Sequence, residues 1–144
     1  MGLALSEART ALRAGDVPVG AVAIDLATGE VLGARHNQKE AEKDPTAHAE
    51  LLVIRDAARA LGSWRLEGVG LVVTLEPCPM CAGALVAARI GSLTFGASDP
   101  KAGACGSLYN LAADPRLNHE FPVTRGFMAD EAGALLVEFF AARR

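Results

Sequence analysis

The sequence lacks several features that would place it in particular classes of protein. No apolar run approaches the roughly 18 residues that a membrane-spanning helix requires, so we expect no membrane anchor. No basic stretch followed by an apolar one lies near Met1, so no secretory signal is visible and we expect a cytoplasmic location. Positive charge is not in excess, because the formal net charge is −3. General polyanion binders are usually basic, and this balance argues mildly against one.

Cysteine is also scarce, and its number is odd. The chain has three cysteines, of which Cys78 and Cys81 form a C-x-x-C pair and Cys105 stands alone. This number, without an export signal, favours metal binding or redox use over a disulfide framework. Hydrophobic residues, by contrast, make up 51% of the 144 positions, against 22% for charged ones. The chain is therefore not disordered, and we expect residues 1–144 to form one domain with its own core.

Hydrophobic periodicity predicts strands that alternate with helices. Helical patterns cover residues 3–14, 47–61, 79–90 and 130–143, with a further short helix expected near Leu108. Strand patterns cover residues 19–26, 30–34, 69–75, 92–95 and 121–128, and loops are expected at 36–44 and 100–107. The first two strands form a predicted hairpin, whereas "VGLVVTL" at Val69–Leu75 is apolar enough for a strand buried on both faces. We therefore expect an α/β fold, with a mixed central sheet of about five strands and helices on both faces.

Two short motifs contain the residue types of a metal site. "TLEPCPMCAGA" at Thr74–Ala84 places Cys78 and Cys81 directly after a strand and at the start of a helix. The free N–H groups and the positive dipole end of that helix favour the thiolate, which is the metal-binding form of cysteine. "DPTAHAE", which ends at Glu50, places His48 at the start of another helix. Ligands of α/β sheets bind near the carboxyl ends of the strands, so we expect both helix starts to face one crevice.

One histidine and two cysteines provide three protein ligands for a zinc ion. A tetrahedral site then keeps one position for water, which is the pattern of a catalytic zinc site. Thiolate and imidazole ligands make zinc the expected metal, at one ion per subunit. Glu50 lies two residues after His48. Its carboxylate can accept the proton of the water and hand it to the substrate and its leaving group.

Other interpretations remain open on these residues. A structural zinc site could recruit Cys105, His36 or His119 as its fourth ligand. A redox role for the C-x-x-C pair would leave His48 and Glu50 unexplained. A non-catalytic RNA-binding module with structural zinc has no use for a carboxylate beside the water position. The combination H-x-E and P-C-x-x-C is the signature of zinc nucleobase deaminases, and it favours the catalytic interpretation.

The chain resembles the bacterial tRNA-specific adenosine deaminases, within the cytidine-deaminase-like superfamily, over nearly its whole length. Besides the two zinc motifs, the likeness rests on "DVPVGAV" (16–22), "HN" (36–37), "RIG" (89–91), "FGASDPKAGACGSL" (95–108) and "LNH" (117–119). The zinc signature alone identifies only the superfamily, whereas the stretch 99–108 and "LNH" point to the tRNA branch. The resemblance implies a three-layer α/β/α cytidine-deaminase-like fold, and it makes Cys105 a spare thiol.

The resemblance also implies a reaction. His48, Cys78 and Cys81 would hold the zinc ion, and Glu50 would be the proton shuttle. Activated water would attack C6 of the wobble adenosine in the anticodon of an arginine tRNA. Ammonia would leave, and inosine would remain. Family members are usually homodimers, with the RNA site completed across the interface.

Substrate contacts are expected at three further positions. Asn37 would hydrogen-bond the flipped base, Asp99 would touch the ribose near the target, and Ala49 lies between the histidine and glutamate of the zinc motif. For Asn37 and Asp99, a role in a local turn is the alternative. Candidate phosphate contacts are Lys101, Arg116, Arg125, Arg143 and Arg144, although solvated surface charge is the more ordinary role for each. The alternative function is a zinc deaminase of free bases or nucleosides, such as guanine or cytosine.

Overall fold

Strands and helices alternate along the chain in the computed structural model, which describes residues 1–144. Their bounds are α1 (Gly2–Arg13), β1 (Gly20–Asp25), β2 (Val31–His36), α2 (Lys39–Glu42), α3 (Ala49–Leu61), β3 (Val69–Leu75), α4 (Pro79–Ala87), β4 (Ser92–Ala97), β5 (Val123–Arg125) and α5 (Ala129–Ala141). A 3₁₀ turn at Leu111–Ala113 lies between β4 and β5.

The five strands form one mixed sheet in the order β2-β1-β3-β4-β5. β1 runs antiparallel to both β2 and β3, whereas β3 pairs with β4, and β4 with β5, in parallel. The central position of β3 agrees with its apolar composition, since Val69, Leu71 and Val73 are all buried. The mixed sheet of five strands expected from the sequence is therefore confirmed.

The helices cover both faces of this sheet, and the expected three-layer α/β/α fold is confirmed. α1 and α5 pack together on one face through Leu5, Ala8, Ala132 and Leu135. α3 and α4 lie on the other face and contribute to the larger core. α1 approaches β1 closely at Gly20, where an added Cβ would lie 2.6 Å from the backbone nitrogen of Ala8. None of the helices combines the length and the apolar character needed to cross a membrane.

The expected helix near Leu108 is wrong. The N–H groups of Leu108 and Tyr109 both donate to the carbonyl of Gly103, at 2.9 and 3.2 Å, so the chain folds back there instead of coiling. The only helical turn in this region is at Leu111–Ala113. The expected loop 36–44 also contains the short helix α2 and the last residue of β2.

The last predicted strand is shorter than expected. It was expected at 121–128, but β5 covers only Val123–Arg125. Pro122 has no N–H to donate to a ladder, and Gly126 has a φ of 82°, which is incompatible with an extended strand. Helix α4 likewise ends at Ala87 instead of 90, because Arg89 has a φ of 55°.

Candidate active site

Two helix N-termini bring the residues of the candidate site together. His48 is the N-cap of α3 and Cys78 is the N-cap of α4, and both have extended backbone angles. Their carbonyls accept the first helical bonds, from Leu52 at 3.1 Å and Ala82 at 2.8 Å. Pro79 takes the first helical position of α4, where its fixed φ suits the helix and its missing N–H is not needed. Two of the three candidate ligand side chains therefore lie at the residue directly before a helix.

The side chains of His48, Cys78 and Cys81 form the one cluster of potential metal ligands in the structure. His48 Nδ1 lies 3.7 Å from Cys78 Sγ and 3.5 Å from Cys81 Sγ. Tetrahedral zinc with bonds of about 2.3 Å to sulfur and about 2.0 Å to nitrogen requires N–S separations near ~3.6 Å. The donor set and its spacing therefore fit one zinc ion with a free fourth position.

The residues considered as a fourth ligand are engaged elsewhere. His36 Nδ1 lies 2.6 Å from a Glu7 carboxylate oxygen. His119 Nε2 bonds to the carbonyl of Ile90 at 2.8 Å. Cys105 is buried in the larger core, and none of the three belongs to the metal-ligand cluster. Because no fourth protein ligand is at hand, the cluster has the composition of a catalytic zinc site.

The two ligand cysteines have unequal acidity. A hydrogen bond from the Cys81 thiol lowers the pKa of Cys78 to about 4, and His48 lowers it further. The same bond and burial raise the pKa of Cys81. The hydrogen bond to Cys78 raises the pKa of His48. Cys78 is therefore ready as a thiolate, which is the form that binds a metal.

Glu50 is buried next to this cluster and is not among its ligands. It is only 4% exposed, and its Oε2 has no hydrogen-bond partner in the protein. Loss of hydration on burial raises the pKa of its carboxyl to about 7. A buried polar atom without a partner is costly, so its presence indicates a role in binding or proton transfer. An acid with a pKa near neutrality can both accept and release a proton under physiological conditions.

A pocket of about 170 Å³ opens over these residues. It is smaller than the roughly 300 Å³ that marks the low end of drug-sized sites, and this favours a single small ring system as its occupant. Asn37 lies in the wall and is nearly buried. Its Oδ1 accepts the N–H of Ala49 at 2.9 Å, which leaves the side-chain N–H₂ group free to donate to a ligand.

The other two predicted substrate contacts are arranged differently. Ala49 is fully buried and does not line the pocket, and its N–H is used by Asn37. Asp99 does line the pocket, but its Oδ1 also accepts the N–H groups of Lys101 and Ala102, at 2.9 and 3.2 Å. The local turn that was the alternative for Asp99 is thus present in the structure.

Several pocket residues were not singled out from the sequence. They are Val17, Val19, Lys39, Leu75, Glu76 and Ala102. Of these, Glu76 carries the clearest signal, because it is a charged residue directly after an apolar strand and directly before Pro77. The pKa of Glu76 is lowered by hydrogen bonds from Ser107 and from backbone N–H groups, which outweigh its burial.

The candidate phosphate contacts are of two kinds. The Arg116 guanidinium binds the Asp114 carboxylate at 2.9 and 2.7 Å, and Arg125 donates to the carbonyl of Cys105. A second group of basic residues lies beside the half-exposed ring of Phe140 on one surface hollow; it consists of Lys101, Arg143 and Arg144. Within this group, the Arg143 guanidinium donates to the carbonyls of Gly15 and Phe139, at 2.9 and 3.3 Å. An adjoining hollow shares Val17, Leu75 and Asp99 with the pocket, so a groove connects this group to the candidate site.

The fold and the site define a deaminase. The family described as MafB19-like deaminase matches residues 1–144, and the chain belongs to this family. Among curated proteins, the chain is 49% identical to the tRNA-specific adenosine deaminase of Bacillus subtilis, over 98% of this chain and 86% of that protein. It is 44% identical to the enzyme of the same name from Haemophilus influenzae, over 100% of this chain and 83% of that protein. The resemblance predicted from the motifs is therefore confirmed.

Solved structures agree with this placement. A structure described in studies of A-to-I editing by tRNA:A34 deaminases is 45% identical, with a TM-score of 0.90 over 94% of this chain and 97% of that chain. A guanine deaminase from Nitrosomonas europaea is 26% identical, with a TM-score of 0.85 over 97% of this chain and 82% of that chain. The higher identity to the tRNA enzymes places the chain nearer to them.

Proposed function

We propose that this protein is a zinc-dependent, tRNA-specific adenosine deaminase that converts the wobble adenosine to inosine. The observation that carries the proposal is the buried, unpartnered Glu50 oxygen beside three metal-ligand side chains in a base-sized pocket. A structural zinc site would have no use for that carboxylate. Similarity to tRNA-specific adenosine deaminases at up to 49% identity supports the substrate class.

His48, Cys78 and Cys81 would hold the zinc ion, one per chain. When bound, zinc lowers the pKa of a water molecule and so supplies a nucleophile at neutral pH. Glu50 would accept one proton of the attacking water and deliver it to a nitrogen of the adenine ring as the water oxygen bonds to C6. It would then carry the remaining proton of that oxygen to the amino group, so that the C6–N bond breaks, ammonia leaves and the C6=O group of inosine remains. A pKa of about 7 suits Glu50 to both halves of this cycle.

The pocket favours a base that has left its stack. Asn37 presents a free amide donor to the pocket, and we propose that it bonds to the flipped base. A base in an anticodon loop is already single-stranded, so its extrusion costs less than extrusion from a duplex. The groove from Asp99 to Lys101, Arg143 and Arg144 provides local positive charge for the flanking phosphates, although the whole chain has a net charge of −3.

The finer assignments rest on the motif resemblance. The substrate would be an arginine tRNA, read at its anticodon loop. Asp99 would contact the ribose, and Ala49 would be a further substrate-binding position, whose N–H also holds the side chain of Asn37. The protein would be a cytoplasmic homodimer, with residues 1–144 folded as one domain.

The decisive experiment is single-turnover deamination of an arginine-tRNA anticodon stem-loop with adenosine at the wobble position. Free adenosine, guanine and cytidine serve as parallel substrates, because the structure is also similar to a guanine deaminase. Inosine formed only in the stem-loop is the expected result. If the protein deaminates only a free base or nucleoside, the proposed zinc mechanism would stand but the proposed tRNA substrate would be wrong.

A further inference from the structure

Glu76 is a buried carboxylate that belongs neither to the metal ligands nor to the proposed proton transfer. It follows β3 and is only 2% exposed. Its Oε1 accepts the N–H groups of Cys105 at 3.1 Å and Ser107 at 2.9 Å. Its Oε2 accepts the N–H of Asp99 at 2.9 Å and the Ser107 hydroxyl at 2.5 Å. All four donors belong to residues 99–107, which we call the pocket loop.

The pocket loop is built around this carboxylate. A Cβ added at Gly103 would collide with the Glu76 carboxylate, so the loop packs against that carboxylate too closely for any side chain at position 103. The loop has two further ties nearby: Gly103 N–H donates to the Asp99 carbonyl at 2.8 Å, and Ala104 N–H donates to the Pro77 carbonyl at 2.9 Å. Because backbone N–H groups away from water require acceptors, the conformation of the loop depends on Glu76.

The same loop forms one wall of the base-sized pocket. Asp99 and Ala102 of the loop line the pocket, together with Asn37 and Glu50. A shift of the loop would therefore change the pocket, and none of the three side chains of the metal-ligand cluster belongs to the loop. We propose that Glu76 is a positioning residue for the deamination, whose carboxylate holds the pocket loop so that Asp99 and Ala102 form the wall against which the substrate nucleotide binds. This inference rests on the proposed function.

The acceptor chemistry explains why a glutamate is required. The four groups that face Glu76 are all donors, and a carboxylate offers only acceptors. A glutamine has nearly the same shape, but it would direct its N–H₂ group at two donors whichever way it turned. Glu76→Gln is therefore the sharpest variant, and Ser107→Ala is a milder one that removes only the hydroxyl donor.

Thr74, which lies in β3 two positions before Glu76, provides a matched control. Thr74 is also 2% exposed, and its Oγ1 accepts the N–H of Gly20 at 3.1 Å, but it does not line the pocket. Thr74→Val thus also removes a buried acceptor, without affecting the pocket loop. We would measure KM and kcat for the anticodon stem-loop, zinc per chain, and amide hydrogen exchange in the wild-type protein and in the three variants.

For Glu76→Gln we expect KM to rise roughly tenfold while kcat changes by less than about threefold, because the wall binds substrate and transition state alike. Exchange should accelerate at residues 99–107, and zinc should stay at one per chain. Ser107→Ala should shift KM in the same direction by less, and Thr74→Val should leave KM unchanged. If Glu76→Gln does not fold, Ser107→Ala alone decides the question.

Three results would overturn the positioning role. They are a KM for Glu76→Gln equal to that of Thr74→Val, unchanged exchange in the pocket loop, and loss of zinc, which would mean that Glu76 acts through the metal site. Failure of the wild-type protein to deaminate the stem-loop would instead overturn the proposed function. The same comparison of KM would then be made on the free base or nucleoside that the protein does turn over.

Discussion

Glu50 has an environment unlike that of an ordinary glutamate in the first turn of a helix. Such a residue is usually exposed and stabilises the helix through the dipole. Here the side chain is buried, one oxygen has no partner, and burial raises its pKa to about 7. The residue contributes nothing evident to folding that would offset this cost, which supports a role in proton transfer.

Replacement of this residue should separate chemistry from structure. We expect Glu50→Ala to keep zinc and the fold but to lose a factor of about 10²–10⁴ in single-turnover rate, the usual scale for a general acid–base. Glu50→Gln should behave in the same way, because glutamine has nearly the volume of glutamate but has no group that can accept and release a proton. A rate within tenfold of the wild-type value, with zinc bound, would remove Glu50 from its proposed role.

The three cysteines provide a matched test of the ligand set. Cys78→Ala should lose the metal, because it leaves only two of the three side chains that converge at the site. Cys105→Ala should retain one zinc per chain, since Cys105 is buried in the core and outside the cluster. Zinc would be counted by atomic absorption after gel filtration. One zinc per chain in Cys78→Ala would contradict the ligand set.

A turn role and the proposed substrate role of Asp99 can be separated by substitution. Its Oδ1 holds the local turn, and the residue also lines the pocket. Asp99→Asn keeps an acceptor for the turn and removes the charge, whereas Asp99→Ala removes both. We expect Asp99→Asn to slow turnover of the stem-loop by roughly tenfold while leaving the melting temperature unchanged. Unchanged turnover would show that Asp99 serves only the turn.

At the scale of elements, the contact between α1 and β1 depends on a single glycine. An added Cβ at Gly20 would collide with the carbonyl of Ala4 and lie 2.6 Å from the Ala8 nitrogen, so α1 would have to move away from the sheet. Both of these contacts are with backbone atoms, which do not rotate out of the way. The close packing of this layer is therefore sensitive to one methyl group.

Urea unfolding of two glycine variants would test this contact. Gly20→Ala should lower the free energy of unfolding by about 1–3 kcal/mol or more, the range for an overpacked core. Gly133→Ala in α5 has open space around its Cβ and should be neutral or stabilising, by up to ~1 kcal/mol, because alanine favours the helix. Equal unfolding curves for the two variants would show that α1 can shift without cost.

At the scale of the whole molecule, charge is distributed unevenly. The chain has a net charge of −3, yet Lys101, Arg143 and Arg144 share one hollow that leads to the pocket. An anticodon loop needs contact with only a few phosphates, so a local group of this kind is enough. Arg116, in contrast to Lys101, already has both arms of its guanidinium on the carboxylate of Asp114, which neutralises its charge.

This difference predicts how salt affects the reaction of two variants. A protein contact with a single-stranded phosphate contributes about −0.7 to the slope of log affinity against log salt. Lys101→Ala should therefore make the slope of log kcat/KM for the stem-loop less steep by roughly 0.7, whereas Arg116→Ala should leave it unchanged. An identical slope for Lys101→Ala and the wild-type protein would exclude Lys101 as a phosphate contact.

Much of the fold and the site could be predicted from the sequence, because the signals involved are local. The apolar run at Val69–Leu75 identified β3, and the helical patterns at 47–61 and 79–90 placed His48 and Cys78 near the start of a helix. The cluster that could hold a metal ion was recognisable for the same reason, since H-x-E and P-C-x-x-C each lie within a few positions of the chain. A helix start then only needs to face the right crevice.

The shape of the pocket was decided by the tertiary structure. The pocket loop takes its form from Glu76, whose donors are 23 to 31 positions away in the chain, and no local pattern encodes such bonds. The helix expected near Leu108 was wrong because the loop turns back on itself there: the N–H groups of Leu108 and Tyr109 bond to the carbonyl of Gly103 instead of making helical bonds. The unpartnered oxygen of Glu50 could likewise not be predicted from the sequence, because the burial of a side chain depends on every element packed around it. The sequence by itself thus determined which chemistry this protein can perform, and only the tertiary structure determined the surface that receives its substrate.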